Sequence, residues 1–222
     1  MNIDPALLAR TYRDPVALFF LIVDLLPIIA VLFFGWGAVP LVFLYWLENV
    51  IIGVFTIARM LAVGAMSRDA NLPGAIGLSV FFTFHYGMFC FVHGVFLVTF
   101  AAMSAGDMGG AGLETPVGVF GTAENTSGSM SLFVALIVAA NAVAFVQDYL
   151  LRGEAAHSTL HGEMMSPYGR IIVLHVGIFA GAFALMALGE PMIGVLALIL
   201  LRVAWGVFLS VRRRLRLDGQ AL

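Results

Sequence analysis

Apolar residues fill six long stretches of the chain, and short polar segments separate them. The stretches cover residues 15–35, 39–63, 74–103, 131–151, 169–188 and 191–211. A helix needs about 20 mostly apolar residues to cross roughly 30 Å of hydrocarbon, so each stretch is long enough to span a bilayer. The pattern predicts an all-α bundle of six transmembrane helices that forms a single domain over residues 1–222.

The composition agrees with a membrane location. Hydrophobic residues make up 62% of the chain and charged residues 11%, whereas an ordinary soluble domain has about 25% charged residues. The formal net charge of −2 provides no basic field for nucleic acid. Cys90 is the only cysteine and the chain has no lysine, which excludes an intrachain disulfide, a thiolate metal cluster and lysine Schiff-base chemistry.

The arginines predict the orientation of the bundle. They flank the stretches at alternate connections, and the opposite connections contain none. The relevant residues are Arg10, Arg13, Arg59, Arg68, Arg152, Arg170, Arg212, Arg213, Arg214 and Arg216. Because arginine is enriched in cytoplasmic loops, we expect both termini to be cytoplasmic.

Titratable side chains interrupt the apolar stretches at Asp24, Glu48, His85, His93, His175 and Arg202. A charged side chain at the centre of a bilayer costs roughly 2.5–3.5 kcal/mol on insertion scales, so it is seldom left without a partner. At a rise of about 1.5 Å per residue, all of these residues except His93, which lies in the outer third, fall within one layer. We therefore expect a polar site inside the bundle.

The residue types in this layer favour a metal site. Glu48, His85 and His175 are predicted to bind one ion, with His93 at its margin or on a second ion. One carboxylate and two imidazoles would leave the open position that catalytic zinc sites keep. Zinc is the favoured ion, another first-row transition metal is the alternative, and haem is not excluded.

Ion pairing between helices is the competing explanation for the same residues. Arg202 is predicted to pair with Asp24 or Glu48, because a guanidinium group can bridge carboxylates. Asp148 lies one helical turn before Arg152 and is predicted to pair with it.

A second candidate metal site lies between the fourth and fifth stretches. Glu154, His157 and His161 are spaced i, i+3 and i+7, so one helical face would present a carboxylate and two imidazoles. Gly153 and Gly162 weaken such a helix. An exposed amphipathic loop at the membrane surface is the alternative.

Three segments resemble an uncharacterised family of bacterial polytopic inner-membrane proteins. They are residues 45–53 (Tyr-Trp-Leu-Glu-Asn-Val-Ile-Ile-Gly), His85-Tyr86-Gly87 with His93-Gly94, and Pro167-Tyr168-Gly169-Arg170 with Leu174-His175. The resemblance implies a multi-pass protein of the bacterial inner membrane, and it implies no activity. A more distant likeness is to membrane zinc hydrolases of the ceramidase type. Those enzymes combine a serine, an aspartate and three histidines across their helices, and Ser79, His157 and His161 resemble part of that set.

Three functions are compatible with the sequence. The first is a membrane-embedded metal-dependent enzyme, such as a hydrolase. The second is a transporter or channel for protons or metal ions, which would use Glu48 and the histidines as a relay. The third is a non-catalytic subunit or scaffold. The expected partner is the lipid bilayer; a homo-oligomer, the substrate and the question of enzymatic activity stay open.

Overall fold

The computed structural model describes residues 5–67, 70–105, 129–172 and 191–220, together with residues 175, 176, 179, 183 and 187. Within these ranges, the side chains of residue 16, residues 100–105 and several residues of the last helix, Arg202 among them, lie outside the description. The regular elements of the described residues are all helical. The predicted all-α class is therefore confirmed.

The α-helices are α1 (Pro5–Thr11), α2 (Pro15–Phe34), α3 (Ala38–Met66), α4 (Leu72–Ala105), α5 (Met130–Ala144), α6 (Leu160–Met165) and α7 (Pro191–Gln220). A π-helix, Phe145–Leu151, continues α5 directly, and a 3₁₀ turn, Glu154–Ala156, follows it. Residues 168–172, 175, 176, 179, 183 and 187 are also helical; we call these residues the 168–187 segment.

Within the part of the chain that the structure describes, four helices are long and apolar enough to cross a membrane: Ala17–Phe34, Ala38–Met66, Leu72–Thr99 and Met130–Leu151. They coincide with the first four predicted stretches. The fifth stretch is only partly described, and the sixth lies within α7, which continues to Gln220. The number of six spans and the cytoplasmic position of the termini stay predictions.

The central helix of the bundle is α3. Five consecutive side chains, Leu41 to Tyr45, are buried, which a helix shows only when it is surrounded by other elements. The helix runs antiparallel to α4: Gly64 lies against Ala75, Gly53 against the ring of Tyr86, and the indole of Trp46 donates to the carbonyl of Cys90 at 2.7 Å. This pairing places the middle of α3, with Glu48 and Asn49, inside the bundle.

The contact between Gly64 and α4 makes a direct prediction. A β-carbon at Gly64 would overlap the methyl group of Ala75 and would lie 3.2 Å from the backbone oxygen of Asn71 and 3.3 Å from the Cα of Leu72. Because these backbone atoms cannot move aside freely, Gly64→Ala should lower the free energy of unfolding by about 1–3 kcal/mol. Thermal unfolding in detergent measures the loss.

Gly77 on α4 provides the matched control, because no heavy atom would lie within 4 Å of a β-carbon at that position. Gly77→Ala should be neutral or slightly stabilising, since alanine has the higher helix propensity. Equal losses at Gly64 and Gly77 would contradict the close α3–α4 approach.

Candidate functional site

Glu48 of α3 forms an ion pair with Arg170 of the 168–187 segment. The Nη1 atom of Arg170 lies 2.9 Å from Oε1 of Glu48, whose side chain is 7% exposed. The sequence also predicts that Arg202 pairs with Asp24 or Glu48. The side chain of Arg202 lies outside the described residues, so its pairing with either carboxylate stays a prediction.

His85 contacts aromatic side chains. Its Nδ1 atom lies 2.7 Å from the hydroxyl oxygen of Tyr168, and the rings of Phe81 and Phe89 pack against the imidazole. The neighbouring Tyr86 reaches α3, where its hydroxyl donates to the backbone oxygen of Asn49 at 3.1 Å. Glu48 and His85 are thus close to the same level, but successive helical residues point about 100° apart.

His93 and His175 form a hydrogen-bonded pair inside the bundle. The Nε2 atom of His93 lies 2.6 Å from Nδ1 of His175, and the two rings meet edge to face with their centroids 4.4 Å apart. The Nδ1 atom of His93 lies 2.6 Å from the backbone oxygen of Phe89. His93 is only 2% exposed, whereas His175 is partly exposed, so the pair lies at the boundary between the packed interior and the accessible surface of the described residues.

The hydrogen-bond partners assign the ring hydrogens of both histidines. The oxygen of Phe89 can only accept, so the Nδ1 atom of His93 carries the hydrogen and its Nε2 atom is an acceptor. His175 then donates from Nδ1 and keeps an unprotonated Nε2 atom. That atom is the one ring nitrogen of the neutral pair left with an available lone pair.

The four predicted metal ligands therefore have three different sets of neighbours: Glu48 is beside Arg170, His85 is beside Tyr168, and His93 is beside His175. Among the residues that the structure describes, no three His, Cys, Asp or Glu side chains are grouped closely enough to hold a metal ion. The described residues therefore do not support a single ion bound by Glu48, His85 and His175. Residues at a similar depth in the membrane can still point to different sides of their helices.

The second candidate metal site also lacks the helix that it requires. Glu154 belongs to the 3₁₀ turn, which follows Gly153 at a φ of 72°. His157 ends that turn, and His161 lies in α6, whose N-terminus is capped by the Thr159 hydroxyl. The prediction that the three side chains share one helical face is wrong, since a glycine in the left-handed region and an N-cap residue divide the segment.

A polar cavity of about 310 Å³ lies between α2, α3, the π-helix, α6 and α7. Four carboxylate and three arginine side chains line it: Asp24, Asp148, Glu154, Glu163, Arg59, Arg170 and Arg213. Arg59 donates from Nε to Glu163 at 3.1 Å and from Nη2 to the Thr56 hydroxyl at 2.8 Å. Among the described residues of the lining, carboxylates outnumber guanidinium groups by one.

The π-helix holds Asp148 within an ion-pair network at this cavity. Its Oδ1 atom lies 2.8 Å from Arg152, which confirms the predicted pair, and its Oδ2 atom lies 2.7 Å from Arg213 of α7. Asp14 extends the network, at 3.4 Å from Arg213 and 3.8 Å from Arg152. Single π-helical turns are rare and occur often at functional sites.

Two residues of the cavity could not be singled out from the apolar pattern. Arg59 lies inside the second apolar stretch, only four residues from its end, where it also fits the pattern of arginines that flank the spans. Glu163 lies two residues after His161, outside the predicted spans. The sequence did contain signals for the cavity, because Asp24 and Arg59 are charged residues within predicted spans and both line it.

These features define the class of the protein. It is a multi-helix protein with membrane-type apolar helices, in which carboxylates, arginines and histidines are paired inside the bundle. A family model described as "Family of unknown function (DUF6498)" matches residues 6–221. The chain belongs to that family, which confirms the predicted resemblance to an uncharacterised family. No curated protein and no solved structure gives a significant match, so the likeness to ceramidase-type hydrolases gains no support.

Proposed function

We propose that this protein is a proton-coupled membrane transporter. The hydrogen-bonded pair of the buried His93 and the partly exposed His175 would bind the coupling proton, and the polar cavity would bind the cation that moves against it. The hydrogen-bonded histidine pair, at 2.6 Å between its two nitrogen atoms, is the observation that carries the proposal. Ionisable residues within membrane spans commonly mark ion pathways and proton relays.

The histidine pair has the chemistry of a proton-binding site. Imidazole is the side chain that exchanges its proton near neutral pH. A proton can bind at the Nε2 atom of His175, and the Nδ1 hydrogen of His175 can then pass to Nε2 of His93. The Nδ1 atom of His93 already donates to Phe89 and offers no onward path. The proton must therefore leave by the route on which it entered, through Nε2 of His175. Such a site favours cyclic binding and release over a continuous proton channel.

The cavity supports a cationic substrate. Each of its three arginines is paired with a carboxylate, Arg59 with Glu163, Arg170 with Glu48 and Arg213 with Asp148. Glu154 also lines the cavity and forms no ion pair within the described residues, so its carboxylate is available to a small cation. The volume of about 310 Å³ reaches the lower end of the range of ligand pockets, roughly 300–1,000 Å³, so the substrate is small.

Proteoliposomes that contain a pH-sensitive dye test the transporter. A gradient of Na⁺, K⁺ or a small organic ammonium ion, applied with the membrane potential clamped, should drive an opposing proton flux. His175→Gln should reduce that flux at least tenfold, because glutamine cannot gain a proton at neutral pH. His161→Gln, a change at an exposed histidine of α6, is the control and should retain the flux. No flux from the wild type, or full flux from His175→Gln, would reject the proposal.

Zinc binding by the same histidines is a second candidate, and one observation favours it. Metal-ligating histidines commonly donate their other ring hydrogen to a carbonyl group, as His93 does to Phe89. Zinc sites have three or four protein ligands, and the described residues offer two here. Elemental analysis after mild chelation separates the candidates: about one zinc per chain, lost in His93→Ala, would favour the metal. An absorbance spectrum of the same sample tests for haem.

A further inference from the structure

A second pocket, separate from the polar cavity in its lining residues, is strongly basic. It has a volume of about 470 Å³ and is lined by Arg10, Arg13, Asp14, Pro15, Arg152 and Arg214. We infer that this pocket binds the phosphate headgroup of an anionic phospholipid. The inference does not depend on the proposed transport activity.

The charges of the pocket favour an anion. Four guanidinium groups and one carboxylate line the pocket. Arg152 is paired with Asp148 at 2.8 Å, and the carboxylate, Asp14, lies 3.8 Å from Arg152 and 3.4 Å from Arg213. Its negative charge is therefore shared by arginines other than Arg10 and Arg13. Within the described part of the chain, Arg10 and Arg13 form no ion pair, and both are exposed. The planar guanidinium group can donate two parallel hydrogen bonds to a phosphate.

The position of the pocket favours a lipid over a free phosphate ion. Pro15 begins α2, and the apolar window that can cross a membrane starts two residues later, at Ala17. This places the arginines at the polar edge of a membrane span, the level of lipid headgroups. Basic pockets and clusters at that level bind anionic lipids.

Apolar side chains continue from the pocket in the direction of the span. Leu18 and Ile22 lie one and two helical turns beyond Pro15 and are 44% and 47% exposed, and Leu151, next to Arg152, is 77% exposed. An acyl chain could pack on Leu18 and Ile22 while the phosphate contacts the arginines. A free phosphate ion would contact only the arginines and would leave the apolar side chains uncovered.

The test compares lipids in mixed micelles with the full-length, detergent-solubilised protein. Phosphatidylglycerol should raise the thermal midpoint relative to phosphatidylcholine, and the increase should shrink at high salt. Arg10→Gln and Arg13→Gln should each remove a large part of that increase. Arg212→Gln is the matched control, because Arg212 is also an exposed arginine but does not line the pocket. Arg13→Lys, which keeps the charge without the planar fork, should retain a part of the effect.

Three results would overturn the inference. If Arg212→Gln and Arg13→Gln reduce the lipid-induced increase in the thermal midpoint equally, the stabilisation depends on general surface charge and not on this pocket. Inorganic phosphate or glycerol 3-phosphate that reproduces the full increase would identify a free anion as the ligand. No difference between the two lipids for the wild type would exclude the site.

Discussion

Replacing Arg170 with methionine should lower the free energy of unfolding by about 3–5 kcal/mol, the usual cost of breaking a buried ion pair. The change removes the guanidinium group that lies 2.9 Å from Glu48 and leaves a carboxylate that is 7% exposed. We expect a loss near the lower end of the range, because the side chain of Arg170 is itself 25% exposed. Thermal unfolding in detergent, followed by tryptophan fluorescence, measures the change.

A second substitution identifies the cause of the loss. Glu48→Gln in the Arg170→Met background removes the buried charge and should restore part of the stability. Arg59→Met is the matched control, since Arg59 and Glu163 form a pair whose side chains are 21% and 16% exposed; we expect a smaller loss there. If Glu48→Gln gives no rescue, Arg170 is not the main partner of Glu48. The same cycle with Arg202→Met tests the predicted contribution of Arg202.

The apolar pattern was sufficient to predict the helices. Four of the six stretches coincide with helices that can span a membrane, because the length of an apolar run is fixed by the thickness of the hydrocarbon layer. The π-helix after α5 could not be predicted, since one additional residue in a turn leaves the composition unchanged. Its effect is local: it carries Asp148 at the end of the span.

The site was predictable in composition but not in its contacts. Depth along a helix can be counted from the sequence, and it correctly placed Glu48 and His85 at a similar level. Direction around the helix depends on how neighbouring helices pack, and packing placed Tyr86 rather than His85 against α3. The partners of Glu48 and His93 come from the 168–187 segment, more than 80 residues away, and no spacing rule connects such positions.

Asp148→Asn should cost about 1.5–3 kcal/mol, because hydrogen bonds to charged groups contribute on that scale. The asparagine keeps the shape of the side chain but loses the charge that holds Arg152 at 2.8 Å and Arg213 at 2.7 Å. Two arginines would then face Asp14 alone. Unfolding in detergent at low ionic strength measures the loss, and added salt should reduce it only in part, since the side chain of Asp148 is 10% exposed.

Glu154→Gln is the matched control for this substitution. Glu154 lines the same cavity, but it forms no ion pair within the described residues, and it is exposed; removing its charge should change stability by less than about 0.5 kcal/mol. Arg213→Met combined with Asp148→Asn should cost less than the sum of the two single changes, because both remove the same contact. Strict additivity would mean that the π-helix and α7 do not depend on this pair. In that case the ion-pair network at the cavity would not be what fixes the position of α7 in the bundle.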